Sequence, residues 1–278
     1  MTQSTTSPAG RTRPARPQAV LTVLEREWLS MHTVRITAGG PGFDVLRLND
    51  FTDKYAKIIF VDPGLGLTPP YELAALREWL PPEQRPVTRT YTLRRADAQR
   101  QQVAIDFVVH GDEGIAAPWA AHAEPGDTLT LSGTGGAYRP DPGSGWHLLA
   151  GDESALPAIC SALEALPGDA RGLAYLETCD PGEYLDATPP RGMEVVWLHR
   201  PQPGSQPSLL ADALLAGPWH PGRASVFAHG ERESMKAVRS ALKTRLRDND
   251  QLSLSGYWAS GRTEDIFQAE KRQPIGQI

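Results

Sequence analysis

Between Asp141 and Gly145 the chain reads Asp-Pro-Gly-Ser-Gly, and the hydrophobic rhythm differs on its two sides. Upstream, short β-branched runs are closed by Gly/Pro turns. Downstream, apolar strands alternate with helical stretches. Strands joined by tight turns build antiparallel sheets, whereas strand–helix alternation builds a parallel sheet with helical crossovers. The expected fold class is therefore β + α/β: an antiparallel β-barrel over residues 19–145, then a doubly wound parallel-sheet unit over residues 146–278, preceded by a disordered tail at 1–18.

The individual segments support that division. Ala19–Glu27 and Thr33–Thr37 read as strands broken at Ala38-Gly39-Gly40-Pro41-Gly42. Tyr55–Val61 ends at Asp62-Pro63-Gly64, Gln102–Val109 alternates with Val103, Ile105, Phe107 and Val109 on one face, and Asp127–Ser132 follows Pro125-Gly126. One helix is expected at Tyr71–Leu80, between two Pro-Pro pairs. Beyond Gly145, strands are expected at Trp146–Ala150, Gly172–Glu177, Glu194–Leu198, Ala224–Ala228 and Leu252–Trp258. Helices are expected at Ser154–Leu166, Glu231–Arg247 and Thr263–Lys271. Trp146 and Trp197 read as core, and Trp258 as a ring able to cover a flat ligand.

Composition and charge narrow the function. With 278 residues and 40% hydrophobic content, the chain can bury a real core. Arg11, Arg13 and Arg16 are the only charges in the first 18 residues, so a net charge of −5 leaves −8 on the body. An acidic body lacks the basic surface that nucleic acid requires, and no nucleic-acid partner is expected. No run approaches the roughly 18 apolar residues of a membrane helix, and the start has no apolar signal core. Two cysteines, Cys160 and Cys179, make neither a disulfide framework nor a CxxC pair and read as buried and inert. The seven histidines show no HxH or HExxH spacing, so no metal site is expected. A soluble, cytoplasmic monomer is the expectation.

Three segments carry chemistry. A barrel followed by an α/β unit suits a machine that holds a flavin in the first and a nicotinamide nucleotide in the second. In Arg89-Thr90-Tyr91-Thr92-Leu93-Arg94, strand alternation puts Arg89, Tyr91 and Leu93 on one face and Thr90, Thr92 and Arg94 on the other. A guanidinium can grip a pyrophosphate, a phenol ring can stack on a flavin, and the Thr92 hydroxyl can meet a ring nitrogen. The same pattern also serves as plain strand surface. The second segment spans Val108, His110 and Gly111, then opens a helix at Ala116 and Ala117 with Trp119 following. A helix start with small side chains can receive phosphate, and an ordinary strand–turn–helix with Trp119 in the core fits equally. The third, Gly151-Asp152-Glu153-Ser154-Ala155, follows the first α/β strand, where doubly wound sheets bind ligands. It lacks GxGxxG, and its two acids point to ribose or nicotinamide contact rather than phosphate.

Together the segments resemble the siderophore-interacting protein family of ferric-siderophore reductases, a branch of the ferredoxin–NADP reductase-like flavoproteins. The resemblance is carried by RTYTLRR (89–95), VVHGDEGIAAPWA (108–120), GGAYRPDP (135–142), LLAGDESALPAI (148–159), VVWLHR (195–200) and SGYWASGRTED (255–265), in the family's order from about residue 19 to 270. Ile115 stands where the family usually has Pro, and Ala259-Ser260 where its Tyr-Trp is normally followed by a basic residue.

The resemblance implies FAD held by Arg89, Tyr91, Thr92, His110 and the Ala116–Ala117 helix start, with NADPH or NADH received by the second domain. Ferric iron in a siderophore would then be reduced at the flavin edge. Lys57, one of five lysines, sits where the family places a basic residue facing the pocket, and Arg139 and Arg262 are the other substrate candidates. Arg200 and the Arg232/Lys236 pair are candidates for a 2′-phosphate, which would favour NADPH. A ferredoxin is the other electron donor compatible with the sequence. Two alternative readings are a general NAD(P)H:flavin or ferredoxin-type reductase and a siderophore-binding module without turnover.

Overall fold

The computed structural model describes residues 16–278 except 110, 112, 113, 184 and 202–205. Nearly all of the tail expected at 1–18, and His110, lie outside the described residues. In chain order the first part holds β1 (Gln18–Trp28), β2 (Thr33–Gly39), β3 (Tyr55–Phe60), α1 (Leu73–Trp79), β4 (Val87–Thr92), β5 (Arg95–Asp97), β6 (Gln102–Val108), α2 (Ala116–His122) and β7 (Thr128–Gly135). The second part holds β8 (Trp146–Gly151), α3 (Leu156–Ala165), β9 (Arg171–Thr178), β10 (Gly192–His199), α4 (Leu209–Ala216), β11 (Ala224–Glu231), α5 (Arg232–Lys243), β12 (Gln251–Trp258) and α6 (Glu264–Glu270).

The first seven strands form one antiparallel sheet in the order β4-β3-β7-β1-β2-β6-β5. Period-2 alternation sends Ala19, Leu21 and Val23 inward from β1, Val34, Ile36 and Ala38 from β2, and Val103, Ile105 and Phe107 from β6, all buried in one core. The pairing Ile36↔Ile105 keeps like faces together across β2 and β6. The sheet curls so that β4, at one end of the order, returns over β6. The Tyr91 ring lies 4.4 Å from Phe107 between centroids.

The last five strands form a parallel sheet in the order β10-β9-β8-β11-β12. Its order reverses between β8 and β11, the position where doubly wound sheets open a crevice at the strand carboxyl ends. Both faces are covered, so the strands are apolar throughout: Leu148, Ala150, Val226 and Ala228 pack under α4 and α5, and Leu149, Ala174 and Phe227 pack under α3.

Several boundaries differ from the sequence expectation. β4 stops at Thr92, because Leu93 and Arg94 turn into the interior and are 1% and 3% exposed. β11 runs on to Glu231, whose carboxylate then caps α5 by accepting from the N–H groups of Glu233 (2.6 Å) and Ser234 (2.9 Å). Short β5 and eight-residue α4 carry too few periodic positions to be seen in the sequence.

Ion pairs bind the two sheets together. Arg94, wholly buried, donates to both oxygens of Glu164 on α3 at 2.8 and 2.6 Å. Arg35 of β2 bonds Asp106 of β6 bidentately at 2.6 and 2.7 Å, and also reaches Asp186 at 2.8 Å. Arg95 meets the same Asp186 at 2.9 Å. The β9–β10 loop is thereby fastened to the barrel, and its position fixes one wall of the space between the sheets.

Candidate functional site

A cavity of about 960 Å³ lies between the barrel and the carboxyl edge of the parallel sheet. That is the upper end of the range for ligand pockets, enough for an extended cofactor and a second ligand. One wall is Arg89, Thr90, Tyr91 and Thr92 of β4, with Val108 at the end of β6. All four β4 residues reach the cavity although they alternate in direction. β4 is an edge strand, so the cavity wraps its unpaired side. Arg89 has weak internal partners: Nη1 donates to the Thr88 carbonyl at 2.9 Å and sits 3.3 Å from the exposed carboxylate of Asp265. Burial, with Glu264 adding to it, raises the Tyr91 hydroxyl well above the ordinary tyrosine range, so it stays protonated.

The helix start expected to meet phosphate lies aside from this wall. Ala116 is buried in the barrel core and Ala117 half-buried, and neither lines the cavity. Trp119 is corrected from cofactor contact to core. Its ring packs against Phe60 at 5.7 Å and Phe107 at 5.8 Å.

The opposite wall comes from the β8–α3 turn and the ends of β11 and β12. Gly151 is required there, since a Cβ would stand 2.6 Å from both the Ala155 Cβ and the His229 carbonyl oxygen. Ala155 is completely buried against it. Glu153 and Ser154 reach the cavity, but Asp152 turns inward. Its carboxylate accepts from Ser154 N (3.0 Å) and Oγ (2.5 Å), from Glu231 N (2.8 Å) and from Trp258 Nε1 (2.8 Å). Those four bonds tie β8, β11 and β12 into one edge and leave no acceptor for a ribose. The Asp152 assignment to a ligand is therefore corrected to a structural one.

Arg200 is likewise corrected. Rather than awaiting a 2′-phosphate it is 6% exposed, bonded to Glu153 at 2.5 Å and Glu177 at 2.9 Å. Burial pushes the Glu177 carboxyl up to about 7, against the pull of Arg200 and with Asp152 and Glu153 adding to the rise. Burial also raises Glu153, but the Arg200 hydrogen bond and charge outweigh it and hold that carboxyl below its ordinary value. The folded Glu177 binds its proton more tightly than the unfolded one. Its contribution to stability is full below about pH 4.5 and is lost as pH rises through 7. Glu177→Gln is accordingly expected to narrow the difference in Tm between pH 5 and pH 8. Thermal unfolding at the two pH values checks this, and an unchanged difference would assign the titration to another group.

Arg232 and Lys236 are also engaged. Arg232 bonds Glu270 and Glu233, and Lys236 bonds Glu233 at 3.0 Å and the Ile275 carbonyl at 2.8 Å. Of the three substrate candidates only Lys57 lines the cavity. Arg262 pairs with Glu270 at 2.8 Å, tying the β12–α6 loop to the end of α6, and exposed Arg139 lends only its carbonyl, to Gln251.

The structure adds residues the sequence did not single out. Lys271, just past α6, lines the cavity with Glu264 and Gln268 of that helix. Its position was readable as the end of a helix, but nothing local in the sequence says where that helix docks. His229 stacks on Phe227 at 4.0 Å, meets Tyr257 edge-on at 4.8 Å and bonds Ser253 Oγ at 2.9 Å through Nε2. Its Nδ1 is buried without a partner, and burial lowers its pKa to about 3, so the ring is neutral. Burial raises the Cys160 thiol to about 12, leaving it unreactive.

These features fit FAD. A loosely held guanidinium, two threonines and a protonated phenol line one wall of a cavity with room for a long cofactor, and a buried neutral ring with an unsatisfied nitrogen stands in the other. Among the described residues no group of three or more His, Cys, Asp or Glu is placed to hold a metal ion, and no helix is long and apolar enough to cross a membrane.

Comparisons with known proteins agree with the geometry. Residues 22–138 match the siderophore-interacting FAD-binding domain, and residues 144–261 match the siderophore-interacting protein family. An uncharacterized protein of Mycobacterium tuberculosis is 41% identical, over 93% of this chain and 96% of its own. The ferric vibriobactin reductase ViuB of Vibrio cholerae is 34% identical, over 91% of this chain and 93% of its own. The crystal structure of the siderophore-interacting protein SipS of Aeromonas hydrophila superposes with a TM-score of 0.76 at 27% identity, covering 93% of this chain and 98% of that one.

Proposed function

The chain belongs to the siderophore-interacting protein family, and from that premise we propose that it is an FAD-dependent ferric-siderophore reductase. Electrons come from NADPH or NADH, and chelated Fe(III) leaves as Fe(II). The observation that supports this most is that one cavity joins the β4 wall, the sheet's reversal point and a lysine-bearing mouth. Cofactor, donor and substrate can then meet in a single space.

FAD, when bound, supplies the conversion between a two-electron hydride donor and a one-electron metal acceptor. Arg89 would hold its diphosphate by charge-assisted hydrogen bonds, in place of the weak Asp265 contact. Thr90 and Thr92 orient polar edges along β4, and Tyr91, backed by Phe107, offers a flat face. Glu153 and Ser154 stand where a nicotinamide nucleotide would enter over the β8–β11 reversal. With Arg200, Arg232 and Lys236 all engaged in ion pairs, none of these three marks a 2′-phosphate, and the reading keeps both nucleotides. A reduced ferredoxin is the donor to test if neither serves.

Ferric iron is hard and held tightly by siderophore oxygens, and ferrous iron less so; reduction alone is enough to release it. Lys57 steers the anionic chelate. Lys57→Ala is expected to raise KM for such a chelate about tenfold, or roughly 1.4 kcal/mol, with kcat unchanged. An assay with a ferrous trap reads both constants, and an unchanged KM moves the substrate elsewhere. The same assay tests the function: the absence of trapped Fe(II) with NADPH, NADH and reduced ferredoxin alike would refute it.

A further inference from the structure

In doubly wound sheets the adenosine ribose of a nicotinamide nucleotide lies by the carboxyl end of the strand that follows the first crossover helix. The side chains there read its 2′ position: an acid suits a hydroxyl, an arginine a phosphate. Here that strand is β9, which α3 joins to β8. Glu177 stands one residue before its end, Arg200 follows the neighbouring β10, and the Arg200 backbone N–H donates to the Thr178 carbonyl at 2.9 Å. An acid and an arginine are therefore both in place, and their ion pairs decide which of them the ribose meets.

Arg200 is already engaged. Its Nη2 bonds Glu153 at 2.5 Å and its Nη1 bonds Glu177 at 2.9 Å, with all three side chains 5% exposed or less. Glu153 also accepts from the Cys179 N–H at 2.8 Å. The Arg200 bond and charge keep Glu153 ionised, so that carboxylate alone cancels the guanidinium, and Glu177 adds negative charge whenever it ionises. A phosphate monoester carries close to two negative charges. To take Arg200 it would have to strand one of two buried carboxylates, and to share Arg200 it would lie against Glu153, which lines the cavity. A 2′-hydroxyl meets neither obstacle and can donate to the Glu153 carboxylate.

The rest of this end of the sheet adds acid rather than base. Residues 179–191 and 200–208, which leave β9 and β10, contain one lysine or arginine besides Arg200. It is Arg191, at the amino end of β10. The same stretches bring Asp180, Glu183 and Asp186, of which Glu183 and Asp186 line the cavity. Arg35, Arg94 and Arg95 meet this loop from the barrel, each through Asp186. Lys271 follows α6, whose Glu270 is held by Arg232 at the start of α5, toward the β11–β12 edge of the sheet. We infer that the Glu153–Arg200–Glu177 triad makes the chain selective for NADH over NADPH, because a 2′-phosphate would meet a guanidinium already neutralised. This rests on the proposed reductase function and names its electron donor. Glu153 faces the nucleotide, while Arg200 and Glu177 act through it as positioning residues.

The test has a binding arm and an electron-transfer arm, both on the FAD-loaded full chain. ADP-ribose and its 2′-phosphate, which differ only at the group in question and carry no nicotinamide, are titrated by calorimetry. ADP-ribose is expected to bind about tenfold tighter or more, a difference of at least roughly 1.4 kcal/mol. Glu153→Gln keeps the shape and the bond to Arg200 but not the charge, and is expected to narrow that ratio about tenfold; Glu177→Gln should narrow it in the same direction. Stopped-flow reduction of the flavin by NADH and by NADPH should show the same preference. Equal or tighter binding of the 2′-phosphate form, a ratio that neither variant moves, or a flavin that neither nucleotide reduces overturns the selectivity. Photoreduced flavin mixed with a ferric chelate tests the reductase function with no nucleotide present. Reoxidation there alongside a preference for NADPH refutes the selectivity alone, whereas a preference for NADH without reoxidation leaves the selectivity standing and removes the reductase function.

Discussion

Arg89→Ala is expected to purify with less than about a tenth of the flavin carried by the unaltered protein, and to need roughly 30- to 150-fold more FAD for reconstitution. Hydrogen bonds to charged groups contribute about 1.5–3 kcal/mol each, and a bidentate guanidinium–phosphate contact lies toward the upper value. The folded protein itself should lose little. Arg89 is held by one neighbouring carbonyl and a 3.3 Å contact to an exposed carboxylate, so its removal leaves no buried charge unpaired. Absorbance of the purified variant together with its Tm reads both quantities. A variant with full flavin would place the diphosphate elsewhere in the cavity, and one with a collapsed Tm would make Arg89 structural.

Arg200→Ala is expected to fail in the opposite way, through the fold. Truncating it strands Glu153 and Glu177, 5% and 2% exposed, where each had accepted a guanidinium hydrogen bond. Removing one partner of a buried ion pair typically costs about 3–5 kcal/mol, and in a chain of this size that lowers Tm by roughly 6–20 °C. The loss should be largest at alkaline pH, where both carboxyls are driven to ionise without a counter-charge, and smallest near pH 5, where protonation relieves them. Differential scanning calorimetry from pH 5 to 8 gives the answer. A pH-independent loss would assign the cost to the cavity left by the side chain rather than to charge.

These two arginines also show how far the sequence could be read. Both sit in segments that stood out, and the fold class followed from the change in rhythm at residues 141–145, because burial on one face or on two imposes different hydrophobic periods. Arg89 is on a strand whose alternation is visible, so its direction could be inferred. Arg200 follows a strand, and its partners come from elsewhere in the sheet, Glu153 from the β8–α3 turn and Glu177 from β9. Sequence spacing contains no information on such a meeting, and a lone arginine after an apolar strand reads as a phosphate ligand. The same limit applies to Lys271, Arg139 and Arg262. Which cations face the cavity is decided by where α6 docks, and that is set by Arg232, Arg262 and Glu270 closing on one another and by Phe267 entering the core. Trp119 was open to two readings because a helix start after a strand serves a phosphate or a core equally well, and only packing against Phe60 and Phe107 separates them.

The central claim, that one cavity carries electrons from a nicotinamide nucleotide to chelated iron, is tested most directly by anaerobic absorbance of the purified, FAD-loaded protein. Stepwise addition of NADPH or NADH is predicted to bleach the flavin band. Subsequent addition of a ferric siderophore is predicted to restore it while a ferrous trap develops colour in proportion. A protein that cannot be loaded with FAD, or a reduced flavin that no ferric chelate reoxidises, would contradict the account.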